Sequence, residues 1–198
     1  MSFVERAIER AGLGGVLPAR RRDDLATVRS ILASHPDADL LILGAIADIA
    51  RKEECGDVVR VHPRGLDEPL PGGVEWVARA GKSELEFLRA IGLARITSPR
   101  GTRVGLDWGT TGLEVPQVAL GFGATDLTGP ITRKSGDLID ADALKKVKGK
   151  GMVAQTSLKR LEIAALLQNA GRVCQFVDEQ APTVATRAQL HEELVANA

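Results

Sequence analysis

The sequence has few aromatic residues, which make up 3% of its 198 residues, and it has no tyrosine. The core must therefore consist mostly of Leu, Ile, Val and Ala. The chain also lacks an excess of either charge, because 26 basic residues balance 26 acidic ones. Proteins that bind a nucleic-acid backbone usually carry a basic excess. We therefore expect no nucleic acid among its partners.

Cysteine is equally scarce, since Cys55 and Cys174 are the only two. A lone pair in a chain of this size indicates reduced thiols and not a disulfide framework. The longest apolar run, 40–50, is too short to span a bilayer and contains Asp48. Residues 1–11 carry four charges and no apolar signal-peptide segment. These absences predict a cytoplasmic protein without a membrane span.

Helical and strand patterns alternate along the chain. Ser83 is a suitable N-cap for an apolar helical pattern that follows it, and Asp37 or Asp39 can cap an earlier one. Alternating helices and short apolar strands are typical of an α/β fold with parallel strands. The main predicted helices are 23–33, 40–54, 84–96, 113–122 and 158–170, and the main predicted strands are 58–61, 103–107 and 173–177.

Three further segments are less regular. The basic run at 20–22 indicates a solvated turn or a helix start. A short helix is predicted to end near Val147, and the basic stretch 145–150 is interpreted as a flexible loop because it lacks the spacing of a phosphate-binding P-loop. A last helix is predicted at 187–195.

The run GFGATDLTG, at 121–129, is the most distinctive local sequence. One interpretation is a helix C-cap followed by an ordinary turn. The other is a loop in which backbone groups and the carboxylate of Asp126 meet a ligand. Three residues near predicted strand ends are further candidates: His62 as a ligand contact or base, Arg103 as an anion clamp, and Trp108. For His62, a purely structural role is the alternative.

Two blocks of sequence carry a family resemblance. The first is DADLLILGAIADIARKEECGDVVRV, at 37–61, and the second spans 84–129, with LEIAALLQNAGRV at 161–173 as a further match. They resemble the radical S-adenosylmethionine enzymes of the menaquinone (futalosine) pathway, which include aminofutalosine synthase, cyclic dehypoxanthine futalosine synthase and FO synthase. The matching residues of the second block are Trp108, Gly112, Leu113, Gln117, Ala119, Leu120, Phe122, Gly123, Ala124, Asp126, Leu127 and Gly129.

The departures from that family concern its catalytic centre. In the family, three cysteines after the first strand hold a [4Fe–4S] cluster, whereas here that position reads HPRGLDEPLPGG. Two cysteines cannot supply three thiolate ligands, so we expect neither cofactor nor metal. The chain is also shorter than a full (β/α)8 barrel, which needs roughly 250 residues. The resemblance thus implies a truncated TIM-barrel-like α/β fold with a small parallel sheet of three to four strands and flanking helices.

We predict an N-terminal helical arm at 1–36, a partial barrel-like α/β domain at 37–178 and a C-terminal tail at 179–198. Because the edges of a partial sheet invite pairing, we expect a homodimer or a complex with a menaquinone-pathway enzyme. The predicted function is that of a non-catalytic, radical-SAM-like accessory or ligand-binding protein for a pathway intermediate. The ligand-binding candidates are Trp108, Gly121, Gly123, Thr125, Asp126, Arg103 and His62.

Two alternatives remain open at this point. One is an enzyme with non-radical acid–base chemistry around Asp126 and His62, with Arg103 as an anion clamp. It requires these groups to lie close together and not to be buried in salt bridges. The other is a purely structural or regulatory interaction module, which predicts a contiguous exposed apolar patch and no concave pocket.

Overall fold

The computed structural model of the chain describes residues 2–65, 68–111, 114–131, 144–147, 151–154 and 159–186. The helices in this part are α1 (Phe3–Arg10), α2 (Val16–Arg21), α3 (Leu25–Ala33), α4 (Leu40–Cys55), α5 (Glu84–Thr97), α6 (Trp108–Thr111), α7 (Glu114–Ala119) and α8 (Arg160–Asn169), and a 3-10 turn, Leu120–Phe122, extends α7. The strands are β1 (Val58–Pro63), β2 (Glu75–Trp76), β3 (Val104–Asp107), β4 (Asp126–Gly129), β5 (Leu144–Val147), β6 (Gly151–Ala154) and β7 (Val173–Phe176).

Five of these strands form a parallel sheet in the order β2-β3-β4-β1-β7. The predicted α/β class with a small parallel sheet and flanking helices is confirmed. The sheet has five strands where three to four were expected, because β4 and the two-residue β2 also join it. The run 121–129 is therefore not a loop throughout, since its last four residues are β4.

β5 and β6 pair with each other as an antiparallel ladder, with Leu144 opposite Ala154 and Val147 opposite Gly151. The prediction of a helix ending near Val147 is wrong for 144–147. Antiparallel pairing with β6, which begins only a few residues later in the chain, has overridden the local helical preference of this run. The remainder of the predicted helix, the end of the basic stretch at 148–150 and the predicted helix at 187–195 lie outside the described residues.

The chain forms two compact units that interleave in sequence. The first unit comprises Met1–Gly56, Gly73–Leu106 and Val118–Thr125, and the second comprises Asp57–Gly72, Asp107–Gln117 and Asp126–Ala198. The division into an arm at 1–36, a domain at 37–178 and a tail at 179–198 stays a prediction.

The first unit has an aliphatic core to which α1 to α5 contribute. α4 supplies one face of it, because Leu43, Ile46, Ala47 and Ala50 recur at helical spacing and are fully buried. Gly44 lies where α4 meets the ring of Phe122, and a Cβ there would be 2.8 Å from that ring. Burial of these groups is the main source of stability for the unit.

The N-termini of four helices in the first unit are capped by side chains, beginning with Ser2 at α1. Ser83 and Glu86 form a capping box at α5, and this bond to Ser83 holds the pKa of Glu86 below its usual value. Asp39, one of the two caps that the sequence allows, caps α4, and Asp24 caps α3. Across the described ranges, no helix is long and apolar enough to cross a membrane.

Arg20 departs from the sequence-based expectation. The basic run at 20–22 was predicted to be a solvated turn or a helix start, yet Arg20 lies in the last turn of α2 and is 1% exposed. Its Nη1 donates to the carbonyl oxygens of Ile96, at 2.6 Å, and Ser98, at 2.8 Å. The amphipathic turn of α2 directs Arg20 inward, and Glu54 on α4 balances its charge.

In the second unit, β1 lies between β4 and β7. Val59 and Val61 of β1 point into the core, where Phe176 of β7 is also fully buried. The guanidinium of Arg160 on α8 lies 4.4 Å from the ring centre of Phe176, a cation–π distance. A hydrogen bond to Asp178 raises the pKa of Arg160 above its usual value. α8 thereby packs against β7.

Candidate functional site

The pairing of β1 with β4 brings three charged side chains to one face of the sheet in the second unit. Arg60 is the register partner of Asp126, and His62 follows Arg60 by two residues. Side chains at alternate positions of a strand share a face, and so do register partners. Arg60, His62 and Asp126 therefore converge.

One oxygen of Asp126 accepts from both neighbours. Its Oδ1 lies 2.7 Å from Nε2 of His62 and 2.8 Å from Nε of Arg60. Asp126 is 0% exposed, whereas the side chain of Arg60 is 34% exposed. A buried carboxylate needs such donors, because burial without a partner costs several kcal/mol. The arrangement holds the carboxylate charge in place and orients the His62 ring.

The backbone of His62 is fixed as well. Its carbonyl oxygen accepts from the hydroxyl of Thr128, at 2.9 Å, and Thr128 is its register partner on β4. Because Asp126 accepts at Nε2, that nitrogen carries a proton.

A second ion pair lies where β1 ends. Nη2 of Arg64 is 2.5 Å from Oδ2 of Asp107, the last residue of β3, and both side chains are almost buried. Oδ1 of Asp107 accepts from the backbone N–H of Gly109 at 2.8 Å. The N–H of Arg64 donates to the carbonyl of Gly129, at 3.2 Å, and its Nη1 donates to that of Glu68. The Arg64–Asp107 ion pair therefore lies at the carboxyl ends of β1 and β3.

Trp108 lies next to that pair and is buried. Its indole N–H donates to the carbonyl of Pro130 at 3.3 Å. The ring packs on Gly129, where any Cβ would overlap the indole and where φ is +152°. A glycine at 129 is thus required for the tryptophan to lie flat on the strand. The Trp108 ring thus packs beside the carboxyl end of β4.

The remaining predicted site residues belong to the first unit. The hydroxyl of Thr125 bonds the backbone of Val104, with an N–O distance of 2.9 Å, and accepts from Arg95 at 3.2 Å. Nε of Arg95 donates to the carbonyl of Gly123 at 3.0 Å. Arg103 donates to the carbonyl of Thr125 at 3.1 Å. These groups stabilise the run 121–125 itself.

Gly121 and Gly123 differ in what they require. Gly123 has φ +91° and ends the 3-10 turn as a left-handed cap, and a Cβ there would be 2.7 Å from Cγ of Arg95. Gly121 faces open space, since a Cβ there would meet no atom within 4 Å. Of these two glycines, only Gly123 occupies a position at which a larger residue would not fit.

Sequence reasoning missed Arg60, Arg64, Asp107 and Arg95. A signal for Arg60 was present, because it alternates with His62 in the predicted strand. Asp107 ends the predicted strand 103–107, a common place for functional groups of parallel α/β folds. Arg95 lies in the apolar pattern of α5 and carried no comparable signal. The pKa of Arg95 lies below its usual value, and desolvation by burial is the largest cause.

The thiols do not form a ligand set. In the described chain, no group of three His, Cys, Asp or Glu side chains is placed to hold a metal ion. Cys55 is half-buried at the end of α4, with its Sγ 3.7 Å from Nη1 of Arg95. Cys174 lies within β7, where burial raises its pKa to about 12. A thiol of that pKa is a poor ligand at neutral pH because the thiolate is the binding form.

Comparison of the chain with protein-family models, curated proteins and solved structures finds no match in any of the three.

Proposed function

We propose that this chain is a non-catalytic, radical-SAM-like accessory protein of futalosine-type menaquinone synthesis, with its parallel strands representing a fragment of a TIM barrel. It binds a pathway intermediate or a pathway enzyme near the strand ends of the second unit. The observation that carries the proposal is that the charged groups at those strand ends, Arg64 and Asp107, are already matched. At the start of β4, Asp126 is likewise matched with Arg60 and His62.

The cysteine count supports the non-catalytic part of this proposal. Radical cleavage of S-adenosylmethionine in the resembling enzymes needs a cluster on three neighbouring thiolates. The sequence holds two cysteines, and one of them is a strand residue with a raised pKa. The position of the cysteine loop of those enzymes holds His62, Pro63 and Arg64 instead.

The strand-end geometry supports the binding part. Ligands of parallel α/β folds collect beyond the carboxyl ends of the strands. At this position the second unit has an arginine, a carboxylate and the edge of a tryptophan: Arg64, Asp107 and Trp108. An anionic intermediate that displaces Asp107 would keep the charge of Arg64 paired.

Two measurements on the purified full chain test the proposal. We expect less than stoichiometric iron and no reductive cleavage of S-adenosylmethionine, together with a calorimetric signal for a futalosine-pathway intermediate or capture of a pathway enzyme. Arg64→Gln should weaken that binding, while Arg160→Gln, which breaks an exposed ion pair in the same unit, should not. A brown, cluster-bearing protein, or the absence of both kinds of binding, would contradict it.

Acid–base catalysis at His62 and Asp126 is the second candidate, because these residues lie 2.7 Å apart. Its requirement that these groups not be buried in salt bridges is not met, since Asp126 is fully buried and paired with Arg60. Arg103, its expected anion clamp, bonds the backbone of Thr125 in the first unit. A bell-shaped pH–rate profile that Asp126→Asn abolishes without loss of stability would favour this candidate instead.

A further inference from the structure

A cleft of about 400 Å³ lies within the first unit, along α3, α5 and the start of α4. Its apolar lining includes Leu32 of α3, Leu43 of α4 and Leu93 of α5. A volume of this size is within the range of small-molecule sites, which are roughly 300–1,000 Å³. The purely structural module considered from the sequence predicts no such concavity.

Two arginines line the cleft at opposite ends. Arg29 of α3 donates through Nη2 to the carbonyl of Thr97, the last residue of α5, at 3.3 Å. Arg89 of α5 donates through Nη2 to the carbonyl of Ala38, just before α4, at 2.6 Å. These bonds hold the Arg29 guanidinium near the last residue of α5 and the Arg89 guanidinium near the start of α4.

The spacing between the ends follows from helix geometry. Arg89 and Thr97 are eight residues apart on α5, so the helix rise separates them by about 12 Å. Leu93 lies halfway between them on the same stripe of the helix. The cleft therefore presents a cationic group, an apolar middle and a second cationic group in a line.

The charge of the lining has one sign. Apart from the two arginines, His35 is the only titratable side chain lining the cleft in the described chain, and its Nδ1 donates to the carbonyl of Ile31 at 2.9 Å. A guanidinium has five N–H donors and binds carboxylates in a fork geometry. Arg29 and Arg89 each use one donor in the backbone bonds above, which leaves donors for an anion at each end.

We propose that this cleft binds an elongated aliphatic molecule with a carboxylate at each end, an α,ω-dicarboxylate. One carboxylate pairs with Arg29, the other pairs with Arg89, and the methylene chain lies on Leu32, Leu43 and Leu93. The inference is independent of the function proposed above, because it uses only residues of the first unit.

Calorimetry on the full chain with three eight-carbon probes tests it: octanedioate, octanoate and 1,8-octanediol. Octanedioate should bind about tenfold more tightly than octanoate, because a second charge-assisted pair adds that much affinity. The uncharged diol should bind more weakly than either. Equal affinity for the diacid and the monoacid, or no binding of any probe, overturns the proposal.

Variants locate the site. Arg29→Gln and Arg89→Gln should each weaken octanedioate roughly tenfold, and Arg10→Gln, at an exposed position of α1, should leave it unchanged. Ala33→Trp keeps both guanidinium groups but fills the cleft from its exposed rim, so binding should be lost while the circular dichroism spectrum stays the same. If Ala33→Trp binds normally, the site lies elsewhere. If it instead converts a dimer to a monomer in light scattering, a second copy of the chain occupies the cleft and the proposal fails.

Discussion

Arg20 and Glu54 form a two-point ion pair inside the first unit, with Nε to Oε1 at 2.7 Å and Nη2 to Oε2 at 2.9 Å. Their side chains are 1% and 4% exposed. A pair of this kind adds little net stability over an apolar pair, but losing one partner leaves the other as an unmatched buried charge.

We therefore predict that Arg20→Gln destabilises the protein by roughly 3–5 kcal/mol. The neighbouring pair Arg21–Glu53 is a matched control, because its side chains are 52% and 36% exposed. Arg21→Gln should cost at most about 1 kcal/mol. Urea unfolding followed by circular dichroism measures both. Equal losses in the two variants would show that the burial of Arg20 has no energetic role.

Asp126→Asn tests whether the buried carboxylate is structural. The amide still accepts hydrogen bonds, but without charge, so the bonds from Arg60 and His62 weaken and the free energy of unfolding should fall by at least about 2 kcal/mol. Arg60→Gln should cost less, since Arg60 reaches water. The two midpoints of urea denaturation give the comparison. An Asp126→Asn variant of normal stability that loses ligand binding would assign the carboxylate to function instead.

Two glycines of the run 121–129 should differ in how much their replacement by alanine lowers stability. Gly129→Ala places a methyl group against the indole of Trp108 and should destabilise the protein by about 1–3 kcal/mol, with a change in tryptophan fluorescence. Gly121→Ala meets open space and should stay within about 0.5 kcal/mol of the parent. Thermal unfolding of the two variants distinguishes them, and equal midpoints would refute the packing of Trp108 on Gly129.

The two thiols should differ in reactivity. At pH 8 a pKa of about 12 leaves Cys174 as thiolate in only about one molecule in ten thousand, so a chromogenic disulfide should label Cys55 first in the native protein. Cys55→Ser should then show almost no labelling until urea is added. Rapid native labelling of that variant would contradict the burial of Cys174.

The same thiol predicts a pH dependence. Its folded pKa is raised from the usual 9.0, so the unfolded chain ionises first. The contribution of Cys174 to stability is complete below pH 9 and declines between pH 9 and about 12. Cys174→Ala should remove this part of the alkaline decline, which denaturation midpoints measured across that range will show.

The helices were predictable because their signals are local. Asp24, Asp39 and Ser83 each cap the helix whose apolar pattern follows them. β4 was missed for the opposite reason: it is four residues long, fully buried and starts with an aspartate, so it shows no alternation and low strand propensity. Its existence depends on pairing with β1, which lies more than sixty residues earlier.

The burial of Arg20 and Asp126 also could not be predicted from local sequence. Hydrophobic patterning assigns arginines and aspartates to the surface, and the partners that permit burial, Glu54 and Arg60, are distant in sequence. His62 and Asp126 were proposed as candidates, but their contact required the β1–β4 register. Sequence thus identified residue types at the strand ends and not their pairing.

The residues that follow β7 affect how its edge could take part in aggregation. β7 is the last strand of its sheet, and beyond it Thr183 donates its N–H to the carbonyl of Cys174 at 2.8 Å in an antiparallel bridge. A strand already bonded by its own chain is a poor template for a foreign β-segment, the event that starts cross-β fibre growth. Cleavage between Phe176 and Thr183 should therefore make the protein more susceptible to fibril seeding.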